Sequence, residues 1–381
     1  MKNLCFAAGA YDVKRSCRGV FLSFLAFVLL ILSGCTFSET KAGGTFANAG
    51  NLNLMTWNVQ NLFDGKDDGT EYDEFKLSSG WSNEKYLGRI NAISNAIGKV
   101  EPMPDIIMLQ EIESLLILED LARSTGGYNW SHFAGNPGAA LGVGILSRYP
   151  LEARSHSITI NGDTTPRPVL EVKITAMETP FVIFVCHWKS KLGGDEATEN
   201  VRKASARVIL RRIRELWKDE PGLGVIVAGD LNENHDEFFR QNASSICALL
   251  PDDPYCASLT ECSGADTGIS GKQKDFIVIS RNKPPAPVHF SKESIVLFSP
   301  WMRDLENGSY YYKHAWETID HFLLSAQFFN DTGWNYESAK TADFHPFAFN
   351  GTPVSYNMRT GAGLSDHLPL LLTLKLKEKP E

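Results

Sequence analysis

From Leu52 onward, short apolar runs recur along the chain, and each closes on polar residues. They are LNLMTWNV (52–59), DIIMLQEI (105–112), GVGILS (142–147), PVLEVKIT (168–175), PFVIFVCHW (180–188), GVIVAGDLN (224–232), TIDHFLLS (318–325) and LPLLLTLKL (368–376). Their length, and the β-branched content of several, predicts strands. Two stretches instead repeat apolar residues at helical spacing. Lys85–Val100 carries Leu87, Ile90, Ile93, Ala96 and Ile97, and Glu196–Trp217 carries Val201, Ala204, Val208, Ile209, Ile213 and Leu216. Many short strands with a few long helices predict sheets packed face to face with helices outside. One domain is expected over residues 51–378, with an irregular insert at about 245–290 that holds Pro251, Pro254 and Lys283-Pro284-Pro285.

The first residues have a different pattern. Lys14, Arg15 and Arg18 precede an apolar run from Val20 to Leu32. At about 13 residues this run is too short for the ~20 a membrane-spanning helix needs, and it suits the apolar region of a signal peptide. It ends in Leu32-Ser33-Gly34-Cys35, which resembles a bacterial lipobox, so residues 1–34 are expected to be removed and Cys35 to carry lipid. An ordinary signal or an uncleaved anchor is the alternative. Thr36, rather than aspartate, follows Cys35, which favours the outer membrane or cell surface over the inner membrane. Residues 35–50, rich in Gly, Ala, Thr and Ser, read as a flexible tether.

Composition sharpens this picture modestly. An apolar fraction of 43% and a charged fraction of 22% suit a globular core. Losing Lys2, Lys14, Arg15 and Arg18 together with Asp12 takes the net charge from −8 to −11. Such a chain has no global field that attracts nucleic acid, so a polyanion needs a local basic patch and a cation. Of 7 cysteines, Cys186 lies in an apolar run and reads as buried, while Cys247, Cys256 and Cys262 cluster in the insert. One disulfide among those three is expected in an oxidising compartment, with its pairing open.

The chemistry lies where the strands end. Asn58 ends the first run, Glu111 the second and His187 the fifth; Asp230 and Asn232 end the sixth, Asp320-His321 interrupt the seventh, and Asp366-His367 precede the last. One Asn or Asp at a strand end is ordinary turn chemistry. A repeated placement of acids, amides and histidines lets a rigid sheet aim them at one point. Hard cations such as Mg²⁺ prefer carboxylate and amide oxygens, so Asn58, Glu111 and Asp366 form a candidate metal set. Mn²⁺ or Ca²⁺ are further options for the ion, and no Cys/His spacing suggests zinc. His187 and His367 suit phosphate oxygens, and Asp230 suits the orientation or deprotonation of a water.

These segments resemble the endonuclease/exonuclease/phosphatase superfamily, which includes pancreatic DNase, exonuclease III-like repair enzymes, neutral sphingomyelinases and inositol polyphosphate phosphatases. The matching segments are TWNVQNLFD (56–64), LQEIE (109–113), GILSRYPL (144–151), CHWKSKLGG (186–194), GDLNE (229–233), TIDHFLLS (318–325) and SDHLPL (365–370), in the family's order. The resemblance implies an α/β four-layer sandwich, two mixed β-sheets face to face with helices outside, and metal-dependent phosphoester hydrolysis by an activated water. It implies Glu111 as principal metal ligand, helped by Asn58 and Asp366. Asp230 takes the place of the carboxylate that handles the water, Asn232 that of its partner, and His367 that of the histidine on the scissile phosphate, oriented by Asp320. His187 occupies the position of a phosphate-binding or leaving-group histidine. Whether Asp230 or the His367–Asp320 pair is the base stays open.

Weaker signals surround this set. Arg148, Arg167, Lys189 and Lys191 are candidate substrate-phosphate contacts, the two lysines by their i, i+2 spacing after His187. Trp188, Trp301, Trp316 and Tyr310–Tyr312 offer either base stacking or core packing. The helix with Arg202, Lys203, Arg207, Arg211, Arg212 and Arg214 reads as a solvated charged face over a packed aliphatic one. The acidic segment Asp64–Glu74 reads as a solvated loop, with Ca²⁺ binding as the alternative. The favoured substrate is DNA, acted on by a monomer. A sphingomyelinase-type enzyme, which would need an exposed aromatic hairpin that does not stand out here, an inositol-phosphate phosphatase and an inactive surface adhesin are the rivals.

Overall fold

Alternation with a period of two divides the side chains of this protein's strands among three apolar layers. The computed structural model describes residues 50–242, 247–254, 256, 275–284 and 295–378. The signal and lipobox residues with Cys35, most of the tether, much of the insert, and Cys262 with any disulfide it forms lie outside the described residues.

Strand β1 (Asn51–Leu62) shows how the division works. Leu52 and Leu54 enter one core, while Met55, Trp57 and Val59 enter another on the opposite face. Its neighbour β2 (Ile106–Ile112) divides in the same way, with Ile106 and Met108 on one face and Ile107 and Leu109 on the other. Helices α1 (Asn83–Ile97) and α2 (Leu115–Thr125) cover the second face with Ile90, Ile93, Ile97, Ile117, Leu118 and Leu121. Ser82 caps α1, its hydroxyl accepting from the Lys85 N–H. The first sheet is completed by β3 (Trp130–Ala134), β4 (Gly142–Ser147), β15 (Gly333–Thr341) and β16 (Leu370–Lys377), in the order β15-β16-β1-β2-β4-β3.

The second sheet has eight strands. They are β5 (Leu151–His156), β6 (Val169–Ala176), β7 (Thr179–His187), β8 (Gly224–Asp230), β9 (Leu249–Pro251), β10 (Ile277–Ser280), β11 (Val296–Phe298) and β14 (Asp320–Leu324), in the order β9-β10-β11-β14-β8-β7-β6-β5. Phe181, Ile183, Val185, Ile226, Ala228, Phe322 and Leu324 face the first sheet across the central core. Val182, Phe184, Val225, Val227 and Leu323 face helix α3 (Asp195–Asp219), which contributes Ile209, Leu210 and Ile213. The layers therefore run helices, sheet, sheet, helix, and the four-layer α/β sandwich with two mixed sheets holds. A small hairpin, β12 (Tyr310–Tyr312) and β13 (Ala315–Glu317), stands apart from both sheets.

Some expectations need correction. The segment read as an irregular insert contributes β9 and β10, paired parallel at the edge of the second sheet. Runs of three or four residues carry too little periodicity to be seen, and flanking prolines obscure them. Helix α2 was hidden because its apolar stretch directly follows that of β2. Arg202, read as part of a solvated face, is fully buried. An aromatic hairpin does exist: β12–β13 presents Tyr312 at 49% exposure with Tyr310, Tyr311 and Trp316 around it.

Candidate active site

Parity and strand direction together bring the polar ends to one place. Strands β1 and β2 run parallel, as do β7 and β8, so within each pair the C-terminal ends coincide. Strand β14 is antiparallel to β8, and Asp230 pairs in register with Asp320 on one side and with His187 on the other. By alternation His187 continues the face of Ile183 and Val185, Asp230 that of Ile226 and Ala228, Asp320 that of Phe322, and Asn58 that of Leu54. All four side chains therefore point between the sheets, where the central apolar core ends. Strand β16 is antiparallel to β1, with Thr56 opposite Leu370, so the turn before it delivers Asp366 and His367 to the same end.

Local backbone features complete the placement. Glu111 would face helix α1 by strict alternation. Instead it sits at a register break between Gln110 and Ile112, with a φ of +63°. A matching break spans Asn58–Leu62 in β1, where Gln60 and Asn61 have φ of +53° and +51°. Left-handed backbone is costly for non-glycine residues and concentrates at functional sites. Arg89 of α1 holds this distortion in place. Its buried guanidinium donates to the carbonyl oxygens of Val59, Gln60, Asn61 and Leu364 at 2.5, 2.8, 2.9 and 3.2 Å. Gly229, at φ +126°, must be glycine, since a Cβ there would lie 2.0 Å from the Cys186 carbonyl oxygen. Ser365 fastens the last turn to β1: its hydroxyl donates to the Asn58 carbonyl at 2.6 Å and accepts from the His367 N–H at 3.1 Å.

Asn58 is the hub of the first half of the cluster. Its Nδ2 donates to Glu111 Oε1 at 3.1 Å and to Asp230 Oδ2 at 3.0 Å, while its Oδ1 accepts from the Gln60 N–H. Glu111 Oε2 accepts from the Asn61 N–H at 2.8 Å. His187 Nε2 lies 3.5 Å from Asp230 Oδ2 and 3.7 Å from Glu111 Oε1. These are proximities rather than ion pairs, because burial, with the charges of Arg167, His367 and Lys189, holds His187 neutral, its pKa well below the usual value. Its Nδ1 is buried without a partner.

In the second half, His367 Nδ1 meets Asp320 Oδ2 at 2.7 Å, which leaves Nε2 for a reacting group. Ligand atoms of Asp230, Asp320 and His367 lie within 4.8 Å of one another. Burial opposes the charge on His367, but Asp320, with Asp366 and Asp230, outweighs it and raises the pKa to about 10. Asp230 is pushed up to about 7 by burial and by the charge of Asp320. Burial also raises Asp366, with Glu111 adding to the effect against His367. Tyr310 lies over His367 with ring centroids 4.6 Å apart, and Tyr312 continues the stack at 6.0 Å.

The donor set fits a hard divalent cation. Carboxylates from Asp320, Asp366 and Asp230 act on the His367 ring, Glu111 adds its charge beside Asp366, and buried Asp320 Oδ1 has no hydrogen-bond partner. One or two of these carboxylates, with oxygen donors around them and no thiol, suit Mg²⁺ or a similar ion.

The outer candidates divide. Arg167 Nη1 and Asn232 Nδ2 both donate to the Trp188 carbonyl, at 2.8 and 3.1 Å, and the Asn232 N–H donates to Asp230 Oδ1 at 2.9 Å. Lys189 reaches the Leu192 carbonyl at 3.3 Å and remains at the rim. Lys191 instead pairs with Glu237, which also holds Asn234, because the i, i+2 pattern does not continue beyond the end of β7. Arg148 is not part of the cluster. It lies near the start of β2, with Nη1 3.5 Å from Asp105, at the end of the strand opposite Glu111. Trp188 and Trp301 are core residues, and the Trp301 indole N–H donates to the Asp320 carbonyl at 2.7 Å.

Sequence reasoning missed Arg89, Ser365 and the brace around Arg202. Its Nε donates to Glu199 at 3.0 Å and Glu233 at 3.1 Å, Nη1 to the Lys189 carbonyl at 3.1 Å and Thr198 at 3.0 Å, and Nη2 to Glu199 at 2.6 Å and the Asp195 carbonyl at 3.2 Å. A signal existed: Arg89 falls within the apolar stripe of its helix, and a basic residue there needs partners. A cavity of about 460 Å³, lined in part by Phe181, Phe328, Trp334 and Lys377, lies at the far end of the strands, away from this chemistry.

Solved structures with similar backbones include an endonuclease/exonuclease/phosphatase family protein from Bacteroides thetaiotaomicron, at 14% identity over 86% of this chain and 98% of that one, with a TM-score of 0.46. SmcL matches at 15% identity over 86% of this chain and 99% of its own, with a TM-score of 0.48. Truncated TDP2 of Caenorhabditis elegans matches at 16% identity over 85% and 97%, with a TM-score of 0.47. No curated protein matches by sequence. The model of the endonuclease/exonuclease/phosphatase family matches residues 53–247, just over half of the chain and the span from Asn58 through Asp230, and to that family the chain belongs.

Proposed function

We propose that this protein is a divalent-metal-dependent phosphodiesterase, and that DNA is its substrate. The observation that carries the reading is the convergence of Asn58, Glu111, His187, Asp230, Asp320 and His367 at one end of the sandwich, with more carboxylate than cationic charge. Glu111 and Asp366, with the help of Asn58 that is hydrogen-bonded to Glu111, are the residues that would hold the cation. When bound, the ion supplies positive charge to the phosphate oxygens, as metal-assisted hydrolysis requires.

The remaining steps belong to side chains. Asp230, with a pKa of about 7, takes the proton of the attacking water. Asn232, through its N–H on Asp230 Oδ1, keeps that carboxylate aligned. His367, kept charged by Asp320, donates from Nε2 to the phosphate, which favours Asp230 over His367 as the base. As the bond to the leaving oxygen breaks opposite the incoming water, neutral His187 hydrogen-bonds that oxygen through Nε2–H, and the leaving oxygen takes its proton from solvent. Arg167 and Lys189 supply local positive charge at the rim of an otherwise acidic protein. Hydrolysis of a lipid phosphodiester is the second reading, and one observation favours it: the β12–β13 hairpin with exposed Tyr312 beside His367.

We further propose that the chain is an exported lipoprotein of the outer membrane or cell surface, acting as a monomer. Residues 1–34 form the signal peptide, Cys35 is the lipid-bearing residue and residues 35–50 are the tether to a domain over 51–378. Cys35→Ser should release the protein from membranes, and unchanged partitioning refutes the anchor.

The deciding experiment offers the purified full chain plasmid DNA, RNA, sphingomyelin vesicles and inositol phosphates, with Mg²⁺ or EDTA. Plasmid cleavage that EDTA stops supports the reading. Hydrolysis that survives chelation overturns the metal-dependent mechanism, and preference for sphingomyelin transfers the protein to the lipid reading.

A further inference from the structure

We propose that Asp68, Glu71 and Glu113 form a calcium site, separate from the catalytic cluster, which fastens the segment after β1 to the end of β2. Carboxylate oxygens of the three residues lie within 4.8 Å of one another. Clustered acids are common at surfaces, and a second observation distinguishes this group. Glu113 is only 9% exposed, and its Oε1 is buried without any hydrogen-bond partner. The other oxygen, Oε2, accepts from the Asp64 N–H at 2.6 Å. A buried carboxylate oxygen without a donor stays charged only when it coordinates a metal or meets a compensating charge, and otherwise the group neutralises. No lysine or arginine among the described residues forms an ion pair with Asp68, Glu71 or Glu113.

The loop is shaped to present these oxygens together. Glu71 is itself buried and accepts the Asp68 N–H at 2.6 Å on Oε1 and the Gly69 N–H at 2.9 Å on Oε2, so the chain curls around its carboxylate. Asp68, which is exposed, stands at the mouth, and Glu71 and Glu113 form the floor. Three carboxylates at one point exceed the one or two that Mg²⁺ ordinarily takes, whereas Ca²⁺ accepts six to eight oxygens in flexible geometry. Calcium is therefore the ion that the chemistry selects.

The site would act on architecture. The Asn61 N–H holds Glu111 and, three residues on, the Asp64 N–H holds Glu113, so two clamps join the ends of β1 and β2. A cation on Glu113 would secure the outer clamp. The proposal does not depend on the hydrolase reading.

The test uses the full chain carrying Glu111→Gln, which weakens the other proposed cation site, so that the Asp68 and Glu113 variants read this one. Calcium is titrated by calorimetry, and Tb³⁺ luminescence is read by excitation of Trp81, whose indole N–H donates to the Asp64 carbonyl at 2.5 Å. One Ca²⁺ per chain is expected, together with Tb³⁺ emission that Ca²⁺ displaces. Asp68→Asn, at an exposed position that leaves the fold intact by near-ultraviolet circular dichroism, should weaken Ca²⁺ binding about tenfold or more, because calcium affinity follows ligand charge. Glu113→Gln should abolish it. Absence of binding at about 10 mM Ca²⁺, above the weakest protein calcium sites at about 1 mM, overturns the proposal. Unchanged affinity in Asp68→Asn overturns it equally.

Discussion

Two buried ionic clusters flank the end of strand β8, and they differ in what they leave unsatisfied. On the α3 side, Arg202 directs every guanidinium N–H to Glu199, Glu233, Thr198 or a carbonyl. The second oxygens of the two acids accept the Ala248 and Leu249 N–H groups at 2.7 Å each. On the inter-sheet side, Asp320 Oδ1 and His187 Nδ1 have no partner, and Asp230, Asp320 and His367 crowd together. A saturated cluster has no capacity for a ligand and acts as a brace. An unsaturated one holds lone pairs and charge in reserve, which is what binding and catalysis require.

That contrast predicts opposite consequences for substitution. Under the hydrolase reading, His367→Ala and Glu111→Gln should each lower kcat by about 10³-fold or more, the scale of losing a positioned proton donor or charge contact. The urea midpoint of Glu111→Gln should stay near that of the parent, whereas His367→Ala, which strips buried Asp320 of its cation, should lower its midpoint, and turnover assays beside denaturation curves check both. A near-normal rate in either variant removes that residue from the site. Arg202→Ala should do the reverse, costing about 3–5 kcal/mol of stability by stranding Glu199 and Glu233 without their cation. Urea unfolding measures that loss.

A third network lies between these extremes. Glu171 accepts from Arg212 Nε at 2.7 Å and Nη2 at 2.9 Å, and meets His156 Nε2 at 2.6 Å. Burial opposes its charge, but Arg212 and His156 prevail and lower its pKa from 4.5 to about 2. A depressed folded pKa means that the stabilisation is present above pH 4.5 and disappears as pH falls towards 2. Because the network is partly wet, the effect should be on the order of 1 kcal/mol. Unfolding at pH 3 and pH 6 should show that dependence in the parent and a shallower one in Glu171→Gln. Smallest of all, Arg148→Gln should leave kcat and KM within about twofold of the parent, since this arginine sits at the opposite end of β2. A larger rise in KM would return it to the substrate path.

Much of the candidate site is legible in the sequence. Asn58, Glu111, His187, Asp230, Asp320 and His367 were visible as polar residues ending apolar runs, and the structure brings them together. Legibility failed where no periodic pattern existed. Strands β9 and β10 are too short to repeat, and Lys191 follows its strand too far to keep the strand's parity. Arg89 and Arg202 carry charges that look solvated until the helix face on which they lie is known.

The alternation of residues along the chain determined by itself which side chains share a face, because that face follows from backbone geometry and requires no neighbour. The relative direction and pairing of the strands were decided only in three dimensions. Parallel pairing of β1 with β2 and of β7 with β8, the return of β14 and β16, and the backbone breaks at Gln60–Asn61 and Glu111 carried distant residues to one end of the sandwich. Those pairings depend on how the two sheets and the helices packed on them bury their apolar faces together, a property of the whole chain that no single segment contains.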